Sequence, residues 1–284
     1  MIVDISAHNL DNDFKKAKEA GVRAVLIRCG YGRDFPKYDD PYFRQNIEGA
    51  LANGMKVGVY LYSYAKNGAS AVSEADHAIR LVKPYKDKLS LPVFYDVEER
   101  GTEEGVSTRC KLFCDKLRSK GYKVGVYASL YWWETYLKDL DTSNIYIWLA
   151  KWGGSKPSHK LDIWQYDAYG KVPGIGTGVD MNHAYGELAD IIDGKEPAPT
   201  PTPTPKEGIE LKVELLKKGS KGAEVFAVQS ILRAQGYKYD GTLIKCDSSY
   251  GRITENCVIA FQKKNGLTAD GIVGAKTWDK LVNG

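Results

Sequence analysis

The 284-residue sequence contains no run near the roughly 18 apolar residues that a membrane-crossing helix requires, which excludes a bilayer span. Its N-terminus lacks the basic start, apolar stretch and small-residue cleavage site of a secretory signal, because Met1 leads straight into the strand-like Ile2-Val3-Asp4-Ile5-Ser6. The expectation is therefore synthesis in a host cytoplasm without export by that route. Histidine is scarce: His8, His77, His159 and His183 are scattered, and they do not supply the metal ligation of an amidase or metallopeptidase. No metal site and no cofactor are expected. Cysteine is sparse and odd in number, and none of Cys29, Cys110, Cys114, Cys246 and Cys257 forms a Cys-x2-Cys pair. These read as reduced structural thiols, with a Cys246–Cys257 bridge left open. No arginine stripe interleaved with aromatics points to nucleic acid. The sequence is silent on oligomeric state.

What is present divides the chain. Residues 195–205, Lys-Glu-Pro-Ala-Pro-Thr-Pro-Thr-Pro-Thr-Pro, alternate proline with small residues. Each ring fixes φ and removes a donor, so the segment reads as an extended, semi-rigid linker. It separates a large unit, 1–194, from a small one, 206–284. From residue 206 onward 13 Lys and Arg face 9 Asp and Glu, which accounts for the whole formal charge of +4. A basic small unit suits an anionic polymer such as a cell wall.

In the large unit, β-type runs at 2–6, 23–29, 57–63, 92–97, 122–127, 145–150, 161–166 and 177–181 alternate with helical patterns near 11–20, 40–53, 69–83, 105–120 and 130–138. Such alternation implies parallel strands with helical crossovers. The unit is short against the ~250 residues of a full (β/α)8 barrel, and the deficit falls after the sixth strand. The predicted fold is a truncated (β/α)8-type barrel, about eight strands and five helices, plus a small three-helix module.

Barrel chemistry gathers at the C-terminal strand ends. Strand one ends at Asp4, strand four at Asp96-Val97-Glu98 and strand eight at Asp180, so four carboxylates are expected at one mouth. Asp96 and Glu98 are two apart and share a face, with Val97 turned to the helices. Crowded acids raise the pKa of one of them, which lets a carboxylic acid keep its proton as glycoside hydrolysis requires. Aromatics mark the other strand ends, and sugar C–H faces stack on such rings. Tyr31, Tyr60, Tyr62, Tyr127, Trp148, Trp164 and Tyr166 are the substrate candidates, chosen from a set that also holds Tyr64 and Trp152. Tyr62, Trp148 and Trp164 are favoured, and Gln165 is added as a polar contact.

Six blocks in order resemble glycoside hydrolase family 25, the lysozymes common among bacteriophage endolysins and bacterial autolysins. They are Asp4-Ile5-Ser6, Tyr60-Leu61-Tyr62-Ser63-Tyr64, Asp96-Val97-Glu98, Trp148-Leu149-Ala150-Lys151-Trp152, Trp164-Gln165-Tyr166 and Gly178-Val179-Asp180-Met181-Asn182. The resemblance spans residues 1–192. It implies cleavage, with retention, of the β-1,4 bond between N-acetylmuramic acid and N-acetylglucosamine in peptidoglycan. By position Glu98 becomes the general acid, with Asp96, Asp4 and Asp180 completing the site. Asp96 is expected to steady a substrate acetamido group during its own attack, with direct aspartyl attack as the alternative. Ser6-Ala7-His8-Asn9 departs from the family's commoner pattern, and His8 receives no role. A non-catalytic wall-binding barrel, and a hydrolase of chitin or of the other wall linkage, are the competing readings. A phage origin with release through a holin is the favoured setting.

The small unit repeats Asp-x3-Gly-x2-Thr at Asp247–Thr254 and Asp270–Thr277. Glycine permits a tight turn, and threonine is expected to cap the next helix. With Phe261-Gln262 and Thr277-Trp278, this stretch resembles the peptidoglycan-binding domain type 1. Ser248 stands where that family usually has glycine.

Overall fold

The computed structural model describes residues 1–176, 178–195 and 215–283. The predicted linker, apart from Lys195, lies outside the described residues. Eight strands close into a barrel in sequence order: β1 (Ile2–Ile5), β2 (Ala24–Tyr31), β3 (Lys56–Tyr62), β4 (Val93–Asp96), β5 (Val124–Ser129), β6 (Tyr146–Ala150), β7 (Ile163–Gly170) and β8 (Val179–Ala184). Helices α1 (Phe14–Glu19), α2 (Phe43–Ala52), α3 (Gly68–Val82), α4 (Val106–Ser119) and α5 (Leu130–Thr135) lie where the helical periodicity predicts them. A sixth, α6 (Gly186–Asp193), follows β8.

Period-two alternation sorts each strand into two cores. Ile2, Leu26, Phe94, Trp148 and Ile163 fill the barrel interior, while Val3, Ile27, Tyr95, Ile147 and Leu149 pack outward against the helices. The fit is close: a Cβ on Gly125 would run into the Phe94 ring. The stacked Tyr95 and Phe113 rings, 4.0 Å apart, join β4 to α4. Full burial of rings of this size is worth about 1.5–3 kcal/mol each.

One expectation is corrected. β1 to β7 run parallel, but β8 is antiparallel to both β7 and β1. The segment 171–178 is too short to recross the barrel, since a parallel return needs about a dozen residues or more. Asp180 therefore reaches the mouth from the beginning of β8, not from its end.

The C-terminal unit comprises α7 (Ala223–Ala234), a hairpin of β9 (Lys238–Tyr239) and β10 (Thr242–Leu243), α8 (Arg252–Lys264) and α9 (Ala275–Asn283). Its two motif repeats are built alike around a buried glutamine. Gln229 Nε2 donates to Asp247 Oδ1 and Thr254 Oγ1, and Gln262 Nε2 donates to Asp270 Oδ1 and Thr277 Oγ1. The threonines thus accept from glutamine, and α8 has Gly251 as its N-cap with no side-chain cap, contrary to the capping expectation. Ser248 adopts φ 59°, as Gly271 does at 71° in the second repeat. All five cysteines are free, including Cys246 and Cys257. Leu112 of α4 packs with Ala227 of α7 and Val282 of α9, so the unit rests on the barrel's α3–α4 side. No described helix is long and apolar enough to cross a membrane.

Candidate active site

Seven strands lift an inward-facing residue to the barrel mouth: Asp4 on β1, Arg28 on β2, Tyr62 on β3, Asp96 on β4, Tyr127 on β5, Gln165 on β7 and Asp180 on β8. Asp4 and Asp180 are direct partners across the β1–β8 pairing and hydrogen-bond to each other. Asp4 Oδ2 also accepts from Gln165 Nε2 at 3.0 Å and from Asn182 Nδ2 at 2.8 Å. Burial, then the Asp180 charge, pushes Asp4 well above the usual carboxylate range, so Asp4 holds the shared proton. Asp180, less enclosed, is pushed up to about 6, again chiefly by burial.

Asp96 and Glu98 face inward as their spacing predicts, and Val97 packs outward. Burial raises both. Glu98 and then Asp4 raise Asp96 further, while Asp180 and Glu99 raise Glu98. These mutual influences place all four acids in one cluster. Arg28 opposes the trend at Asp96. Asp96 Oδ1 is buried yet has no hydrogen-bond partner. A buried carboxylate oxygen left without a partner is free to accept a hydrogen bond from a bound molecule.

The aromatics divide sharply. Tyr60 and Tyr127 lie at the floor, where the acids' charges act on both phenols. Tyr127 hydroxyl donates to Gln165 Oε1 at 2.9 Å. Tyr62 hydroxyl donates to Glu99 at 2.9 Å, and Tyr31 stands further out, 6.2 Å from Tyr64 between ring centroids. Trp148, favoured for stacking, is 1% exposed. Its ring is wedged among Tyr60, Phe94 and Tyr127, and its Nε1 donates to Asn182, so it supports the floor and offers no face to a sugar. Trp164 and Tyr166 are also corrected. Gln165 faces inward, so Trp164 before it faces outward, and Tyr166, at an irregularity between Gln165 and Asp167, packs against the same outer cluster. Trp164 Nε1 donates to the Lys151 carbonyl, and Tyr166 stacks on His183 at 4.4 Å. The exposed mouth-side indole is Trp152, 61% accessible, whose Nε1 donates to Gln165 Oε1 at 3.1 Å.

Three contributors escaped the sequence reading: Arg28, Asp40 and Asn182. Arg28 Nε donates to Asp40 Oδ2 at 2.9 Å, and the same oxygen accepts the Ala7 N–H. This pairing ties β2 to the turn after β1. A charged residue at the inward register of the apolar run Ala24-Val25-Leu26-Ile27 was the available signal. Among the described residues, no group of His, Cys, Asp and Glu is arranged to hold a metal ion.

The chain is similar to known proteins along most of its length. Residues 3–175 match the family model of glycosyl hydrolases family 25, and residues 221–281 match that of a putative peptidoglycan binding domain. The chain is 26% identical to an autolytic lysozyme of Clostridium acetobutylicum, over 99% of this chain and 98% of that one. It is 25% identical to a lysozyme of Streptomyces globisporus, over 67% of this chain and 69% of the other. The catalytic domain of an endolysin from a Listeria monocytogenes bacteriophage superposes with a TM-score of 0.61 at 28% identity, covering 68% of this chain and 96% of that domain.

Proposed function

Because this chain belongs to glycosyl hydrolase family 25, and is a lysozyme that hydrolyses bacterial peptidoglycan, we propose that Glu98 is its general acid and Asp96 the group that directs the substrate's own acetamido oxygen. The observation that carries the assignment is the raised acid Glu98 beside a buried Asp96 whose Oδ1 has no partner. Glu98 gives its proton to the glycosidic oxygen as that bond to the anomeric carbon of N-acetylmuramic acid breaks. The acetamido carbonyl oxygen attacks the same carbon, while Asp96 accepts the acetamido N–H. Water then opens the cyclic intermediate, returns a proton to Glu98 and leaves the anomeric configuration unchanged. Asp4, fixed by Gln165 and Asn182, holds Asp180 in place, and Asp180 favours the protonated form of Glu98.

The division into a catalytic unit 1–194, a linker 195–205 and a wall-binding unit 206–284 belongs to the same reading. The separate family matches at 3–175 and 221–281 support it. Attachment through the basic C-terminal unit would keep the barrel on its insoluble polymer.

Glu98→Gln tests the assignment. Clearing of a wall suspension should fall about 10²–10⁴-fold, the usual contribution of a general acid, with wall binding intact. Substantial remaining turnover refutes the role of Glu98. Reduction of the new chain ends in a wild-type digest should label muramic acid; labelled glucosamine would refute the bond assignment.

A further inference from the structure

Five aromatic rings form an unbroken line leading away from the mouth. Tyr62 lies 5.1 Å from Tyr64 between ring centroids, Tyr64 6.2 Å from Tyr31, Tyr31 5.4 Å from Tyr38, and Tyr38 6.0 Å from Phe35. Tyr64 is 49% exposed and Phe35 45%. Tyr62, Tyr31 and Tyr38 are half-buried, and core filling does not explain the two exposed rings that continue their line.

The line ends at the C-terminal unit. Phe35 lines a crevice of about 470 Å³ whose opposite wall is α7, with Ser230 and Arg233. A second crevice, about 670 Å³, lies between the loop after β4 and Phe226 of α7. Asn67 and Cys246 line both, which makes one cleft along the seam between barrel and module. Hydroxyls and amides recur along its walls, including Asn67, Ser70, Ser73, Thr102 and Thr108. Ser230 is 5% exposed, and its hydroxyl has no partner within the protein. Rings for C–H faces, alternating with neutral donors and acceptors, match a carbohydrate chain. The charged residues of the walls are Arg33, Arg233, Lys66 and Arg109 against Glu104 and Asp247, a positive excess of two that suits the lactyl carboxylates of a muramic-acid glycan.

We propose that the glycan strand leaving the mouth follows Tyr62, Tyr64, Tyr31, Tyr38 and Phe35 and is gripped at its far end between the barrel and the C-terminal module. The inference rests on the muramidase reading and adds distal sugar subsites that neither unit forms alone. The seam is close enough to keep such a cleft in shape: a Cβ on Gly68 of α3 would stand 2.9 Å from Leu112 and 3.1 Å from Ala227 of α7. The enzyme should therefore favour long strands.

Soluble, peptide-free glycan chains of graded length test this with the full-length protein. Wild-type kcat/KM should rise with length. Phe35→Ala, at an exposed position, should lower kcat/KM on long chains about tenfold and leave the shortest cleavable chains unaffected, and Ser230→Trp, which fills the cleft, should do the same. Equal loss on short and long chains, or no length preference in the wild type, overturns the proposal. A defect confined to glycan that still carries stem peptides overturns it too, by assigning the cleft to peptide. Affinity of the same chains for Glu98→Gln, with and without Phe35→Ala, gives the length effect without turnover, so a failed muramidase assignment and a failed cleft assignment remain distinguishable.

Discussion

Glu74 should make the barrel's stability depend on pH in a way one substitution can remove. Its side chain is fully buried on α3, where Oε2 accepts from Ser63 Oγ at 2.8 Å and from the Tyr95 hydroxyl, and Oε1 accepts the Tyr64 N–H at 2.9 Å. It thereby fixes the ends of β3 and β4, next to Tyr62 and Asp96. Burial outweighs these donors and pushes Glu74 from 4.5 up to about 7. A raised acid binds its proton more tightly folded than unfolded, so its contribution is complete below 4.5 and is lost as pH climbs to about 7. At about 1.36 kcal/mol per pH unit, the loss is about 3 kcal/mol. Glu74→Gln keeps the shape and the neutral state but cannot ionise. Urea unfolding of both proteins from about pH 4 to about pH 8 should show the stability difference moving toward glutamine by that amount. Parallel pH profiles would refute the argument.

Other consequences are more local. Asp180→Asn removes a charge that raises Glu98, so the alkaline limb of the pH–kcat/KM profile should move to lower pH; an unmoved limb would disconnect the two groups. Trp152→Ala should raise KM by roughly threefold to tenfold with little change in kcat, the scale of one lost ring contact, and initial rates on soluble glycan would measure it. Ser248→Gly should stabilise the C-terminal unit by about 0.5–1 kcal/mol, because serine at φ 59° pays for a left-handed backbone that glycine adopts freely; a lower melting temperature would contradict this.

The legible parts of the fold were those governed by short-range rules. Asp96-Val97-Glu98 could be assigned because period two admits a single arrangement, and the structure has it. The same rule at Trp164-Gln165-Tyr166 turns Trp164 outward once Gln165 faces inward, so an inward Gln165 and a substrate-facing Trp164 are incompatible. Trp148 failed differently. Its inward direction is right, but whether an inward ring is floor or wall depends on how high Tyr60, Phe94 and Tyr127 rise around it. That is a property of the closed barrel and of no single strand. The direction of β8 was legible in principle from the eight residues of 171–178, which cannot accommodate a crossover.

Reversal of β8 has a chemical result that a parallel strand would not give. Antiparallel pairing sets Asp180 opposite Asp4 and Asn182 opposite Ile2, one step deeper. Asn182 is then positioned to donate up to Asp4, while its own Oδ1 is held by Trp148 from below. Asp4 keeps its proton under these constraints, so the ionisation that varies near neutrality belongs to Asp180, at about 6. Below that pH Asp180 is neutral, and burial with the Glu99 charge still favours the protonated form of Glu98. Above it, the new negative charge on Asp180 favours the protonated form of Glu98 further. The buried core tryptophan and the backward strand thus act together: they hold Asn182 and Asp4, leave the ionisation near neutrality to Asp180, and so let that charge bear on Glu98, the proposed acid.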